Sequence, residues 1–535
     1  MKKVIKNPQK KMLAGIKKLY DAVSSTLGPA GKPVILSKKY GPPVITKDGV
    51  SVANEIFLSD NVENDAVQLV KQAAKKTAEL AGDGTTTATV IAYSIIQEGF
   101  KLIQAGAQPM GLKRGIDKAV EAVVSALQEM AVKFDTSNES EFNSFTDTVA
   151  EISANGDVNV GKLVAEAVRK SASNGMVTVL ESKTTEDRLE KMLGFEFDSG
   201  YTSQNFVNRA DRNECYLDNP LILVTNKRIV DISMIVPILE AVAAKGKPIV
   251  VVAEYFHETV LATMLLQTVQ YNRPMIAVKA PNFGDRKEDA LKDIAIMTGT
   301  KVISDEMNLK LEDVKIDDLG RCEAISIKSN KTLIINAQGS QESVKGLMQS
   351  LYAKLRVANT ESEQKYYKER LAKISGGVSI IYVGGNSDTE VKEKKDRIDD
   401  AIHATNAAIE EGIVPGGGIA LIRCIQALEN LVGENADETM GINIVKNALQ
   451  APIKCIVENA GKESTLIVQK VLESPEMNFG YNARTGKYGN MIEMRVIDPV
   501  KVTRIALQNA ASIGGLFLTT GCIVALEQVD EKARL

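Results

Sequence analysis

The run Gly82-Asp83-Gly84-Thr85-Thr86-Thr87 sets one carboxylate and three hydroxyls among flexible glycines, just where a helix should begin. A helix start offers unpaired amides and the positive end of its dipole. The threonines therefore suit a phosphate, and Asp83 suits the Mg²⁺ that accompanies one. The same run also fits an ordinary Asp/Gly turn followed by threonine capping, because short motifs recur by chance. Three further stretches carry related chemistry. Thr26-Leu27-Gly28-Pro29-Ala30-Gly31 is a tight turn whose glycines let backbone approach an anion. Thr46-Lys47-Asp48-Gly49 adds a carboxylate after the strand-like Val44-Ile45, and Val414-Pro415-Gly416-Gly417-Gly418 is bare backbone suited to lie against a ribose or base. Neither a Gly-x4-Gly-Lys-Ser/Thr loop nor a dinucleotide Gly-x-Gly-x-x-Gly after a strand occurs, which excludes two common nucleotide motifs.

Periodicity gives the elements that must hold these residues. Residues 62–80 place Val62, Ala66, Leu69, Ala73 and Leu80 at helical spacing; Gly82 stops that helix and Ala88–Ala92 begins another. Residues 1–130 and 411–535 read as predominantly helical. Between them, apolar runs at 220–224, 248–252 and 275–279 are typical of buried strands and alternate with helical stretches at 231–244 and 258–271, an α/β layered unit. The flanking segments 131–192 and 379–410 are charged and mixed, with a charge-rich helix opening at Asp388.

A chain of 535 residues exceeds what one core organises, so two to four domains are expected. With 65 Lys and Arg against 68 Asp and Glu, the net charge of −3 gives no reason to expect nucleic-acid or membrane affinity. Five cysteines without a Cys-x-x-Cys pair argue against zinc or disulfides and for a reducing compartment. The basic start lacks the apolar stretch of a leader, and no segment is long and apolar enough to span a bilayer. A cytoplasmic protein is expected.

The order and wording of these pieces resemble the group I chaperonins, the GroEL-type ring ATPases. The likeness runs from about Met12 to Glu527 through TLGPAGKPVIL, TKDGVSVA, AGDGTTTATV, ISANGD, AIHATNAAIEEGIVPGGG and KVTRIALQNAAS. It implies a multidomain α and α/β fold: an equatorial nucleotide-binding and ring-contact domain (1–130 and 411–535), an intermediate hinge domain (131–192 and 379–410) and an apical domain (193–378). Gly194, Gly376, Gly377 and Gly412 fall at the implied hinges. The function it implies is an ATP-dependent chaperone using ATP, Mg²⁺ and K⁺. Seven-fold rings stacked in pairs would capture non-native polypeptides and encapsulate them under a co-chaperonin lid.

With only two histidines in the chain, a carboxylate is the better candidate to aim water at a γ-phosphate. By resemblance Asp400 does so with Asp48 as its partner, and Asp83 holds Mg²⁺. Thr26, Lys47 and Thr86 match the K⁺ positions. The phosphate and nucleoside contacts are Thr26, Leu27, Gly28, Pro29, Lys47, Asp83, Gly84, Thr85, Thr86, Thr87, Ile152, Gly417, Asn482, Ala483 and Asp498. Tyr201, Phe206, Val236, Leu239, Leu261, Leu265 and Leu266 match the apical polypeptide- and lid-binding rim, although such apolar helix stripes ordinarily face a core. Arg484, Asn205 and Ser199 depart from the family pattern. Two rival readings are a divergent chaperonin acting as a client-holding scaffold, and an ATP-dependent enzyme acting on a small molecule.

Overall fold

The structure is a computed structural model that describes residues 2–37, 43–133, 138–154, 157–171, 176–182, 184–192, 194–209, 213–304, 309–358, 360–375 and 378–526. It divides into two compact units, Met1–Ala165 with Ser387–Leu535, and Glu166–Asn386.

Long amphipathic helices build the first unit. Helix Pro109–Met130 buries Leu112, Ile116, Ala119, Val123 and Leu127 along one face. Helix Val500–Thr519 is buried on most sides and packs against Asn61–Ala81, Thr85–Gln104 and Pro109–Met130. Helix Asn61–Ala81 differs from its expected stripe. Val62, Ala66, Val67, Val70 and Ala74 are buried, whereas Leu69 and Leu80 are about half exposed. This helix packs closely on helix Gln9–Ser24, where the backbone of Glu63 lies against Gly15. Short antiparallel pairs complete the unit, including Ile413–Pro415 with Ile497–Pro499 and Phe479–Asn482 with Lys487–Asn490.

The second unit carries the α/β layer. Strands Met275–Lys279, Ile249–Ala253 and Leu221–Val224 run parallel, as their continuous apolar runs require of a sheet covered on both faces. Gly320–Ile327, Thr332–Ala337 and Gly194–Phe197 continue the sheet antiparallel, and Cys215–Asp218 also pairs with Gly320–Ile327. A separate three-stranded sheet has Val378–Val383 in its centre, parallel to Met176–Glu181 and antiparallel to Arg188–Met192. Ile380 and Tyr382 of that sheet cluster with Ala324, Leu333 and Ile335 of the larger one.

Among the hinge glycines, Gly194 begins a strand and Gly412 ends helix Asp388–Glu411 at φ 88°. Gly376 and Gly377 lie outside the described residues. Cys215, Cys322, Cys424 and Cys455 are buried, which pushes each thiol up to about 12; Cys522 is exposed. No helix among the described residues is long and apolar enough to cross a membrane.

Candidate functional site

A cleft of about 690 Å³ in the first unit is lined by chain segments that lie far apart in sequence. At its floor, helix Asn61–Ala81 ends on Gly82 (φ 77°) and helix Thr85–Gln104 begins on Gly84 (φ 91°). Two left-handed residues so close together turn one helix end into the next helix start, a conformation glycine adopts without penalty. The helix begins at Thr85 rather than Ala88, so all three threonines sit in its first turn. Ala88 is the first residue whose amide reaches back into the helix, to the Gly84 carbonyl at 2.8 Å. The Thr85, Thr86 and Thr87 amides thus belong to the unpaired set of a helix start. Thr85 Oγ1 is buried without a hydrogen-bond partner.

Asp48 stands beside this turn. Its carboxylate caps helix Gly49–Asn54, accepting from the amides of Val50 at 3.0 Å and Ser51 at 2.8 Å. A Cβ added to Gly49 would lie 2.1 Å from Thr86 Oγ1, so only glycine allows the two segments to meet. The Thr26–Pro29 loop forms the neighbouring wall. Asn459 Nδ2 fixes that loop by donating to the carbonyls of Ser24 (2.8 Å) and Leu27 (2.9 Å). Lys47 is exposed along the same cleft.

Asp400 arrives on helix Asp388–Glu411. The C-terminal half of this helix is fixed to helix Val500–Thr519 by an apolar cluster of Ala81, Ala407, Val502 and Ile505, and by ion pairs Glu411–Arg504 and Glu410–Lys501. His403 rests directly on Gly82, where a Cβ would lie 2.3 Å from the His403 Cβ. Asp400 and Ala404, one turn apart, line the cleft over the glycine turn.

The electrostatics follow from this convergence. Burial pushes the Asp400 carboxyl well above the carboxylate range, and the charges of Asp83 and Asp48 push it further. Asp83 is likewise raised, chiefly by burial, with Asp48 adding while the Gly84 amide and His403 oppose. Both side chains keep surface accessible from the cleft, yet both lie deep among protein atoms, and that low-dielectric surrounding disfavours their charge. Among the described residues no group of three or more His, Cys, Asp or Glu is placed to hold a metal by itself. One carboxylate and one orphaned hydroxyl suit a Mg²⁺ that takes its other ligands from phosphate and water, and the row of free amides suits the phosphate itself.

At the opposite end, Asp498 Oδ2 accepts from the Gly417 amide at 3.1 Å. Burial first, then Asp83, pushes its carboxyl up to about 6 against the Gly417 and Gly418 amides. Asn482 is buried, its Oδ1 accepting from the amides of Arg484 and Thr485, and so shapes the turn that presents Ala483. Ile152, Tyr481, Met494, Val496 and Ile497 supply apolar walls. Every sequence-predicted nucleotide and catalytic residue lines this one cleft. Glu151, Gly49, Tyr481, Met494, Arg495 and Val496 line it too and were not anticipated. Gly49, Glu151 and Tyr481 adjoin predicted residues, but nothing local in the sequence marks Arg495.

The predicted rim residues fare differently. Phe206 and Leu239 are 1% and 5% exposed and belong to the core of the second unit, so as placed they offer no rim surface. Helix Val236–Ala244 begins later than expected, after a single tight turn at Ile232–Met234, and turns Ile238, Leu239 and Val242 inward. Tyr201, Val236, Leu261 and Leu265 are half-buried. Leu266 is half exposed on helix Glu258–Gln270, and Val269 and Tyr271 extend its apolar surface.

A model of the TCP-1/cpn60 chaperonin family matches residues 19–528. The backbone is similar to crystal structures of the chaperonin gp146 from bacteriophage EL 2 of Pseudomonas aeruginosa, determined in the presence of ATP-BeFx. For one crystal form the TM-score is 0.67, for another 0.61, each at 22% identity and covering 98% of this chain and 99% of that one.

Proposed function

Because the chain belongs to the TCP-1/cpn60 chaperonin family, and so is a chaperonin-type ATP-dependent chaperone, we propose that its cleft binds and hydrolyses ATP to drive the capture and release of non-native polypeptides. The observation that carries this reading is the meeting of the Gly82–Thr87 helix start, Asp48, Asp400 and the Gly417–Asp498 contact in one cleft. Its volume is in the range of small-molecule and cofactor sites. Asp83 and the Thr85–Thr87 turn would hold Mg²⁺ and the phosphates, the ion neutralising charge on the phosphoryl oxygens. Asp400 would take the proton of the attacking water, with Asp48 beside it. Thr26, Thr86 and the carbonyl of Lys47 are proposed for K⁺, since the Lys47 ammonium would repel a cation. Gly417 and Asp498 would hold the ribose, and Ile152, Asn482 and Ala483 the base.

The three-domain division given above, the seven-fold rings stacked in pairs and the co-chaperonin lid extend the proposal. The separate three-stranded sheet supports a small intermediate domain, and the Leu266–Tyr271 surface supports a client- and lid-binding rim. The test is to measure ATP hydrolysis and lid-dependent refolding of a denatured client, with particle symmetry from electron microscopy. A protein that hydrolyses ATP but neither forms rings nor binds a client would overturn the reading.

Two results are expected here. Leu266→Ser should abolish most client capture while leaving ATP hydrolysis and melting temperature near wild type, because Leu266 is already half exposed. Capture at the wild-type level by light-scattering suppression would remove Leu266 from the rim.

The other concerns pH. An ionised Asp498 accepts from two ribose hydroxyls, and a protonated one gives up part of that capacity. ADP affinity should therefore rise with pH and be lost as pH falls through about 6. Fold stability has the opposite sign. The native state holds this proton above the ordinary carboxylate pKa, so its stabilising contribution is present at low pH and disappears as pH rises through about 6. Calorimetric ADP titration across that range tests the first statement, and Asp498→Asn should remove the step.

A further inference from the structure

Residues Met491–Val496 close as a Schellman turn. The Val496 amide donates to the Met491 carbonyl at 2.8 Å and the Arg495 amide to the Ile492 carbonyl at 3.0 Å. Such a turn places one residue in the left-handed region, ordinarily glycine. Here that residue is Arg495, at φ 55°. Every other non-glycine residue with positive φ among the described residues is asparagine, whose short amide tolerates that conformation. Arg495 alone holds a long side chain against the preference of its backbone, and such conflicts concentrate where the side chain has a task.

The task is visible in its contact. Arg495 Nη1 lies 3.3 Å from Oε1 and 3.2 Å from Oε2 of Glu151. Glu151 sits in the last turn of helix Glu139–Ser153, next to Ile152, and Arg495 sits next to Val496. Both charged side chains line the cleft with Tyr481, Met494 and Val496. The helix is packed on the chain around Ala408 and Ile413 through Val149, which sets Glu151 facing the turn. The pair thus ties two walls of the cleft together at its nucleoside end.

We propose that Glu151 and Arg495 form a clasp across the nucleoside end of the cleft that sets how long a nucleotide stays bound. Arg495 is a positioning residue in this scheme, and the scheme rests on the cleft being the ATP site. Arg495 is largely solvent-exposed and Glu151 partly so, and the effect of the pair is therefore modest and screened by salt. Opening the clasp lets the walls part and speeds release, leaving the groups around Asp83 and Asp400 in place.

The test is stopped-flow release of a fluorescent ADP from the full-length protein at low and high salt. Arg495→Gly and Glu151→Gln should each speed release about threefold at low salt, and the double variant no further. Release from the wild type should quicken with salt, while release from either variant should not. Arg495→Gly should do this without lowering the melting temperature, since glycine relieves the left-handed backbone. A charge-reversed protein carrying Glu151→Arg and Arg495→Glu should regain slow release. Wild-type release rates in both single variants, or a charge-reversed protein as fast as the single variants, would overturn the clasp. Failure of the wild type to bind ADP at all would instead overturn the reading of the cleft as a nucleotide site.

Discussion

Asp400→Ala should slow ATP hydrolysis about a hundredfold while Mg²⁺-ATP binding stays within a few-fold of wild type, the scale of losing one positioned acid/base group. The expectation comes from where the carboxyl is held. Helix Asp388–Glu411 is anchored near its C-terminal end by Ala407, Glu410 and Glu411, so Asp400 stands above the Gly82 turn that would carry the γ-phosphate. Burial and the charges of Asp83 and Asp48 raise its affinity for a proton, as a general base requires. Because the base must be ionised, the wild-type rate should fall as pH drops through the raised value, and the residual rate of the alanine variant should not follow that fall. Single-turnover hydrolysis alongside a binding isotherm separates the two quantities. A variant that binds and hydrolyses ATP normally would remove Asp400 from the reaction.

The other large effect falls on binding. Asp83→Ala should weaken Mg²⁺-ATP at least tenfold and abolish the improvement that Mg²⁺ gives over nucleotide alone, since Asp83 is the carboxylate between two left-handed glycines at the helix start. The same substitution has a remote signature. The Asp83 charge is one of the causes that raise Asp400 and Asp498, so removing it should move both titrations toward lower pH. Titrating ADP with and without Mg²⁺ as pH is varied reads both effects. An unchanged Mg²⁺ dependence would reduce the Gly82–Thr87 run to an ordinary capped turn.

What the sequence could reveal divides along a physical line. Local signals were strong where one short stretch decides its own conformation. Gly82 ends a helix, Gly28 takes a left-handed turn at φ 85°, and the apolar runs around Leu221, Ile249 and Met275 became buried parallel strands. Helix faces were less legible. Periodicity marks Leu69 and Leu80 as inward, but the face that neighbouring helices cover runs through Val67, Val70 and Ala74 instead. Phe206 and Leu239 show the same limit from the other side: resemblance assigned them to a surface, while packing within the second unit buried them. The Glu151–Arg495 contact spans more than three hundred residues of chain, and the left-handed backbone of Arg495 is set by its turn rather than by its side chain. Neither leaves a mark in the local pattern.

The way the cleft is assembled has a consequence for synthesis. Its lining begins at Thr26 and ends at Thr503, and helix Val500–Thr519 forms the middle of the surrounding core. The second unit is one uninterrupted stretch, Glu166–Asn386, so its chain is complete once residue 386 has left the ribosome. The first unit has by then only its leading part, and the Asp400 helix, the Gly417 turn, Asp498 and the central helix are still to come. At about 5–20 residues per second, the first and last walls of the cleft proposed to bind nucleotide are separated by roughly 25–100 s of translation. On the proposed reading, a nascent or prematurely released chain that stops after residue 386 has the Gly82–Thr87 turn without the groups proposed to act with it, and should hydrolyse no ATP until the segment through Thr503 has been made.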